Sequence, residues 1–433
     1  MSAFMAGKSH PEIHGRKSCN PLAVLLVVGL IIGGCDTFPN APRDNLVLEG
    51  PVDGLTGTQL ALFVAGDEEF GRTFAPFEGA GPLFIAQACV SCHPGDGKGH
   101  PAFDLTRFGR MTADGFDPMR SFGGPQLQHR AVPGYTPEVV PLEATGVARF
   151  SPPLVTGLGF LEAVDESTLF DLADPGDADG DGISGRVQLV DSTDLIADIV
   201  SFGAILAGDQ GTPPRSYGGR YVGRFGRKAR SVNLLEQTVS AYAEDIGLTS
   251  DLVPTDPVNV QVGPRAADAV PDPEISSATV DNVVFYLRTL RPPPRRGADD
   301  PNVLAGETLF EQVGCASCHV PALRTGYSSI GPLNDVVFYP YTDLLLHDMG
   351  PELDDGYTEG SASTAEWRTT PLWGLGLAER SQGGKAFYLH DGRAGTLDEA
   401  IGYHGGEGAA SREAFGRLTT DERDQLIRFL RSL

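Results

Sequence analysis

The chain has 433 residues, with 33 Lys and Arg against 57 Asp and Glu for a formal net charge of −24. So acidic a surface argues against nucleic acid as a partner and suits solubility or a basic electron-transfer partner. Gly 55 and Pro 33 exceed ordinary usage, which predicts long irregular loops around a modest set of helices. The length suffices for two domains, each with its own core.

Residues 1–20 carry Lys8, Arg16 and Lys17 and precede an apolar run at 22–32. That run is short for a bilayer crossing and suits the apolar region of an export signal. Ile32-Gly33-Gly34-Cys35 follows and resembles the bacterial lipobox. The resemblance implies a lipoprotein signal peptide at 1–34, cleavage before Cys35, and lipid on its thiol. The chain is then held on the periplasmic side of a bacterial membrane. A plain signal peptide with a soluble periplasmic product, or an uncleaved anchor, is the alternative. Residues 35–58 read as an N-terminal linker.

Cys89-Val90-Ser91-Cys92-His93 recurs as Cys315-Ala316-Ser317-Cys318-His319. In each, two thiols can add to the vinyl groups of a haem while the adjoining imidazole ligates iron from one face. With six Cys and nine His in the chain, roughly 0.002 chance copies are expected. A thioredoxin-like pair needs neither the histidine nor a second copy, whereas a four-thiolate zinc site is the stronger competitor. The remaining Cys19 and Cys35 fall in or beside the leader, so no thiol is left for a disulfide or a nucleophile.

Arg291-Pro292-Pro293-Pro294-Arg295-Arg296 forbids a helix and predicts a linker at 292–302 between a first domain at 59–291 and a second at 303–433. Leu83-Phe84 precede Cys89 at the spacing at which Leu309-Phe310 precede Cys315, which predicts a short helix delivering each motif. Tyr286-Leu287-Arg288-Thr289-Leu290 and Phe429-Leu430-Arg431-Ser432-Leu433 end the two halves as tails of amphipathic helices. The last helix opens on a capping-box pattern, Thr419 with Glu422. The expected fold is mainly α: two c-type cytochrome domains in tandem, the first with a large loop-rich insertion at roughly 100–270.

Within that insertion, Asp177-Ala178-Asp179-Gly180-Asp181-Gly182-Ile183 places carboxylates at alternate positions before a turn glycine, as in a calcium loop. Asp177, Asp179 and Asp181 are the expected ligands, with the carbonyl of Ile183. Gln188 stands where a bidentate Glu belongs, so the fit is partial, and a solvated acidic turn is the alternative.

Trp367-Arg368-Thr369-Thr370-Pro371-Leu372-Trp373, then Phe387-Tyr388-Leu389-His390-Asp391-Gly392-Arg393 and Thr396-Leu397-Asp398-Glu399-Ala400-Ile401-Gly402-Tyr403-His404, resemble the C-terminal signature of bacterial di-haem cytochrome c peroxidases. Carried over by spacing, the axial methionine of that family is His404 here, opposite His319. A second imidazole stabilises ferric iron and lowers the potential. His347 and Met349 are the alternative ligands. A closer resemblance is to the di-haem oxidoreductases also labelled thiol oxidoreductases. It rests on the haem motifs and on Gly79-Ala80-Gly81-Pro82-Leu83-Phe84, Gly124-Pro125-Gln126-Leu127-Gln128, Gly157-Leu158-Gly159-Phe160-Leu161-Glu162-Ala163, Gly223-Arg224-Phe225-Gly226 and His404-Gly405-Gly406-Glu407. Nothing in the sequence supports the thiol label.

The resemblance implies reduction of hydrogen peroxide or a related oxidant at the first haem. Electrons from a small cytochrome or other donor would pass through the second. A distal acid–base group is then needed, and Glu162 is the first candidate, with Gln126, Gln128 and Arg130 as polar neighbours. No motif frames a sixth ligand for the first haem among His100, His129, Met111 and Met119. Trp367 and Trp373 are the only tryptophans, and core packing beside a haem is the plainer role for each. The alternatives are an electron-transfer cytochrome with both irons six-coordinate, or an enzyme that oxidises a partner protein. The latter's second haem has a tyrosine ligand, and Tyr403 lies one position from His404.

Overall fold

Six helices set the frame, and each starts where a short polar side chain can take up a free backbone N–H. α1 (Gly57–Gly71) opens on a Thr56–Gln59 capping box, α2 (Leu234–Ala241) on Asn233 and α3 (Ser277–Thr289) on Ser276. α4 (Pro301–Gln312) is capped by Asp300 with proline at its first position. α5 (Leu397–Gly402) is capped by Thr396, and α6 (Thr420–Ser432) by the Thr419–Glu422 box read from the sequence. The structure is a computed structural model and describes residues 48–206, 214–263 and 270–433. Cys35 and the expected leader lie outside these residues. Among the described residues no helix is long and apolar enough to cross a membrane.

α1 crosses α3 as α4 crosses α6, and both crossings use a glycine. A Cβ on Gly66 would lie 2.1 Å from the carbonyl of Asn282 and 2.6 Å from Cβ of Tyr286. One on Gly306 would lie 2.0 Å from the carbonyl of Gln425 and 2.8 Å from Cβ of Phe429. Above the glycines, Phe70 meets Tyr286 at 5.5 Å and Phe310 meets Phe429 at 5.2 Å between ring centroids. The duplication also includes the segments that seal the tails of α3 and α6. Gly157 N donates to Leu290 O at 2.9 Å and Gly374 N to Leu433 O at 3.1 Å. Two residues on, a Cβ on Gly159 or Gly376 would lie 2.0 Å from the carbonyl of Arg288 or Arg431.

Leu83-Phe84 is not helical, contrary to the expectation from spacing. It is a two-residue strand paired antiparallel with Arg130–Ala131. The true counterpart of Phe310 is Phe70: their rings lie 6.4 Å from His319 and 6.2 Å from His93. A long turn-rich segment separates α1 from Cys89, whereas only Val313 and Gly314 separate α4 from Cys315.

"Mainly α" describes this frame but not the insertion. There Leu105–Thr112 pairs with Gly115–Asp117 and Gly146–Phe150, and Arg220–Val222 pairs with Leu189–Asp191 and Ser216–Tyr217. Gly146–Phe150 alternates buried and exposed residues, the period of a strand with one covered face. The chain as a whole is therefore mixed α and β.

Residues 45–433 form one compact unit. One apolar core runs from Val52 through Leu290 to Leu345 and Trp373, across the expected domain boundary. The proline-rich stretch is pinned at its end. Arg295 forms a two-pronged ion pair with Glu307, 2.8 Å on each arm, and Arg296 donates to Arg431 O at 2.6 Å and Leu433 O at 3.0 Å.

If the glycine crossings set helix spacing, Gly66→Ala and Gly306→Ala will each destabilise the fold by about 1–3 kcal/mol or more through overpacking. Gly402→Ala, where a Cβ meets nothing within 4 Å, will stay within about 0.5 kcal/mol. Denaturant unfolding of the three variants measures both effects.

Candidate cofactor sites

Two cavities open over the two Cys-x-x-Cys-His segments. Cys89, Cys92 and His93 line the first, and Cys315, Cys318 and His319 the second. His93 Nδ1 lies 2.8 Å from Pro153 O and His319 Nδ1 lies 3.0 Å from Tyr341 O. A main-chain carbonyl can only accept, so each Nδ1 carries the proton and Nε2 keeps its lone pair. Burial holds both imidazoles neutral, with pKa values brought down to about 4. It also pushes the thiols of Cys89, Cys92 and Cys315 up to about 12, so none is a ready thiolate. The two pairs belong to different cavities, and the four thiols form no metal-holding group among the described residues. The zinc alternative fails on that point.

α2 and α5 roof the two cavities and share a register that the sequence reading missed. Asn233 caps α2 by accepting from Glu236 N, and Thr396 caps α5 by accepting from Glu399 N. Counted from these caps, Leu234 matches Leu397, Gln237 matches Ala400, Ala241 matches His404 and Asp245 matches Gly408. All eight line their respective cavities. His404 holds its Nδ1 2.8 Å from Ala400 O, which leaves Nε2 free. The first cavity has the methyl group of Ala241 at that place. The signal was available in the parallel strings Asn233-Leu234-Leu235-Glu236 and Thr396-Leu397-Asp398-Glu399.

His347 also lines the second cavity, but both ring nitrogens are taken, by Asp343 at 2.8 Å and Glu407 at 2.7 Å. Despite burial, these partners raise its pKa far above the usual imidazole range. It is an imidazolium clamped between carboxylates, not a free ligand. Met349 lines the cavity beside His404, and Tyr403 does not line it. His390 stacks on Trp367 at 3.6 Å and 11°, with Lys228 Nζ 3.9 Å from the same indole.

Glu162 is not at the first cavity. Its carboxylate accepts from Leu234 N at 2.8 Å and from Arg288 Nε at 2.5 Å, a tie that fastens α2 to α3. Leu161 lines the cavity in its place, because one step along the short helix Leu158–Glu162 turns the side chain away. Arg130 is exposed on the strand facing Leu83-Phe84. Gln126 is buried outside the cavity wall and donates through Nε2 to Asp245 Oδ1 at 2.5 Å, while Gln128 donates to Glu244 O. Besides Glu359, the carboxylate that does line the cavity is that of Asp245. Burial, reinforced by the charge of Glu244, raises its pKa to about 6. His100, His129, Met111 and Met119 do not line the first cavity.

Pro153, Leu154, Arg227, Arg368, Pro371 and Trp373 line both cavities, so the two sites share a wall. The walls are largely apolar with buried cations among them. Arg107, lining the first, has Nε without a hydrogen-bond acceptor, while its Nη1 lies 3.5 Å from Glu244. Neutral imidazole, flanking thiols, apolar walls and guanidinium groups are what a haem with its carboxylates requires, so the residues fit that group at both places.

In the acidic loop, oxygens of Asp174, Asp177 and Asp179 lie within 4.8 Å of one another. Asp181 is outside that group and accepts from Ile183 N at 2.8 Å. The structure thus does not bring the expected trio of Asp177, Asp179 and Asp181 together, and Asp174 stands beside Asp177 and Asp179 instead. Gln188 is buried and bonds Lys228 O and Glu359 O, so the twelfth position serves the fold.

No curated protein matches the chain. Among solved structures, hydrazine synthase from Kuenenia stuttgartiensis overlaps with a TM-score of 0.37 at 14% identity, covering 99% of this chain and 100% of that one. A MauG-like protein associated with microbial copper homeostasis overlaps with a TM-score of 0.38 at 16% identity, covering 92% and 94%. The model of the family described as "Di-haem oxidoreductase, putative peroxidase" matches residues 144–433, the larger part of the chain, with the first Cys-x-x-Cys-His segment preceding the matched span. This chain belongs to the di-haem oxidoreductase family.

Proposed function

We propose that the chain reduces hydrogen peroxide or a related oxidant at the first site, with electrons from a redox partner reaching it by way of the second. The observation that carries this reading is Ala241. Eight residues after the Thr396 cap His404 lines the cavity of His319, whereas eight residues after the Asn233 cap the methyl group of Ala241 lines the cavity of His93, which leaves room there for a small molecule. Haem held at the two motifs, by Cys89, Cys92 and His93 and by Cys315, Cys318 and His319, would supply the redox chemistry.

The chain's own contribution is proton handling and order. His93 is held in one tautomer by Pro153 O, so its orientation is set before anything binds. Asp245 stands one turn beyond Ala241 with a pKa near neutrality, where a carboxylate can take a proton from one oxygen and return it to another. Gln126 fixes one oxygen of that carboxylate from behind. Gln237, where the second site has Ala400, adds an amide to the same roof. At the second site His404 and His319 offer two neutral imidazoles, the ligand pair of an electron carrier rather than of a reaction centre. Trp373 fills the common wall, which supports a short path between the sites.

In the oxidised, haem-loaded protein, electron paramagnetic resonance is expected to show one high-spin ferric signal that moves on adding cyanide and one low-spin signal that does not. Ala241→His will convert the first to low spin and abolish peroxide turnover. His404→Ala will convert the second to high spin. Two low-spin signals in the unsubstituted protein, unchanged by cyanide or peroxide, would instead make the chain an electron carrier.

The role of Asp245 has a pH signature. As a base it must be ionised, so turnover will rise as pH climbs through about 6. Asp245→Asn will remove that limb and lower turnover by about 10²–10⁴-fold. Glu162→Gln will keep the limb, because Glu162 binds Arg288 outside the cavity, and will lower the unfolding midpoint. A pH–rate profile of the three proteins separates the two residues.

A further inference from the structure

Arg227 and Arg368 are the two cations of the wall between the sites. They are 6% and 8% exposed. Their fixed hydrogen bonds go to main-chain carbonyls. Arg227 donates from Nε to Ser151 O at 3.0 Å and from Nη2 to the same oxygen. Arg368 donates from Nε to Gly226 O at 3.1 Å and from Nη1 to Thr369 O at 3.2 Å. Neither forms an ion pair with a carboxylate among the described residues, the influence of Asp104, Asp391 and Asp343 being through space. The two residues are joined through the main chain, Arg368 N donating to Arg227 O at 3.1 Å, and burial first and the Arg227 charge second hold the Arg368 guanidinium below its usual range.

Two like charges buried together with no carboxylate in direct contact are costly, and the cost is reduced when an anion arrives. Arg227 Nη1 and Arg368 Nη2 hold no protein acceptor among the described residues. Both residues face both cavities. The anions that a haem brings are its propionate carboxylates, and the planar fork of arginine matches a carboxylate.

We propose that Arg227 and Arg368 form one carboxylate receptor shared by the two sites, binding propionates of both haems. The inference rests on the two-haem reading and adds a consequence to it. A cation pair common to both cofactors favours the extra electron at either one, so removing one cation makes both haems harder to reduce.

The test is a spectroelectrochemical titration of the haem-loaded full chain, with the haem content of each variant measured first. Arg227→Gln and Arg368→Gln are expected to retain two haems and to lower both midpoints. Each will shift the ferric–ferrous equilibrium at least tenfold, which is about 59 mV for one electron. Arg227→Lys and Arg368→Lys, which keep charge and lose the fork, will move both midpoints the same way by less than tenfold. Arg149→Gln, on an exposed side chain, will move neither. A shift confined to one haem, or none at all, overturns the proposal. Should a Gln variant fail to load both haems, the Lys variants decide by the same criterion. Fewer than two haems in the unsubstituted protein would overturn the two-haem reading instead.

Discussion

The whole arrangement depends on two chain segments that cross at the wall between the cavities. Gly157 and Gly374 both have φ of +72°, a region that only glycine enters without strain. A Cβ on Gly157 would lie 2.5 Å from the Trp373 ring, and one on Gly374 would lie 2.7 Å from Leu154. Each half therefore supplies a flat spot on which the other half's side chain sits. Such reciprocal contacts make the wall thin and the two sites inseparable, which is why a duplicated chain folds here as one body.

Burial at this wall also decides the chemistry of the polar groups near it. The same desolvation that keeps His93 and His319 neutral keeps the motif thiols protonated and raises Asp245 towards neutrality. His347 shows the opposite resolution. Two carboxylates outweigh desolvation and hold it charged, and Glu407 extends the tie to Ser184 at the end of the acidic loop, 3.0 Å from both its N and Oγ. A histidine with both nitrogens bonded to carboxylates is a structural clip. One with its Nδ1 on a carbonyl and Nε2 open is poised to bind metal.

Much of this was legible in the sequence because it depends on local chemistry. The Cys-x-x-Cys-His strings, the Thr419–Glu422 cap and the matching helix tails need only short-range spacing, whereas His404 entered through the family resemblance. What was not legible depends on partners far along the chain. The Leu83-Phe84 spacing imitated Leu309-Phe310, but Gly66 and Phe70 are what pack against α3. Glu162 looked catalytic beside Gly157-Leu158-Gly159, yet Arg288 claims it from more than a hundred residues away. Asp245 carried no motif, and only the fold brings it to the cavity wall with Gln126 behind it.

Duplication gives both halves the same roof helix, on the same cap and over the same kind of cavity, so their difference reduces to a few side chains. The cavity-facing place eight residues past each cap holds His404, just past the end of α5, over the second cavity and Ala241, the last residue of α2, over the first. At the next matching place Asp245 puts a carboxylate on the first cavity where Gly408 puts a hydrogen on the second. The frame cannot distinguish the two roles, since helix crossings, proximal imidazoles and the shared wall are common to both. On the function proposed above, the division between an electron-receiving site and a reacting site therefore lies in α2, α5 and the few residues that follow them.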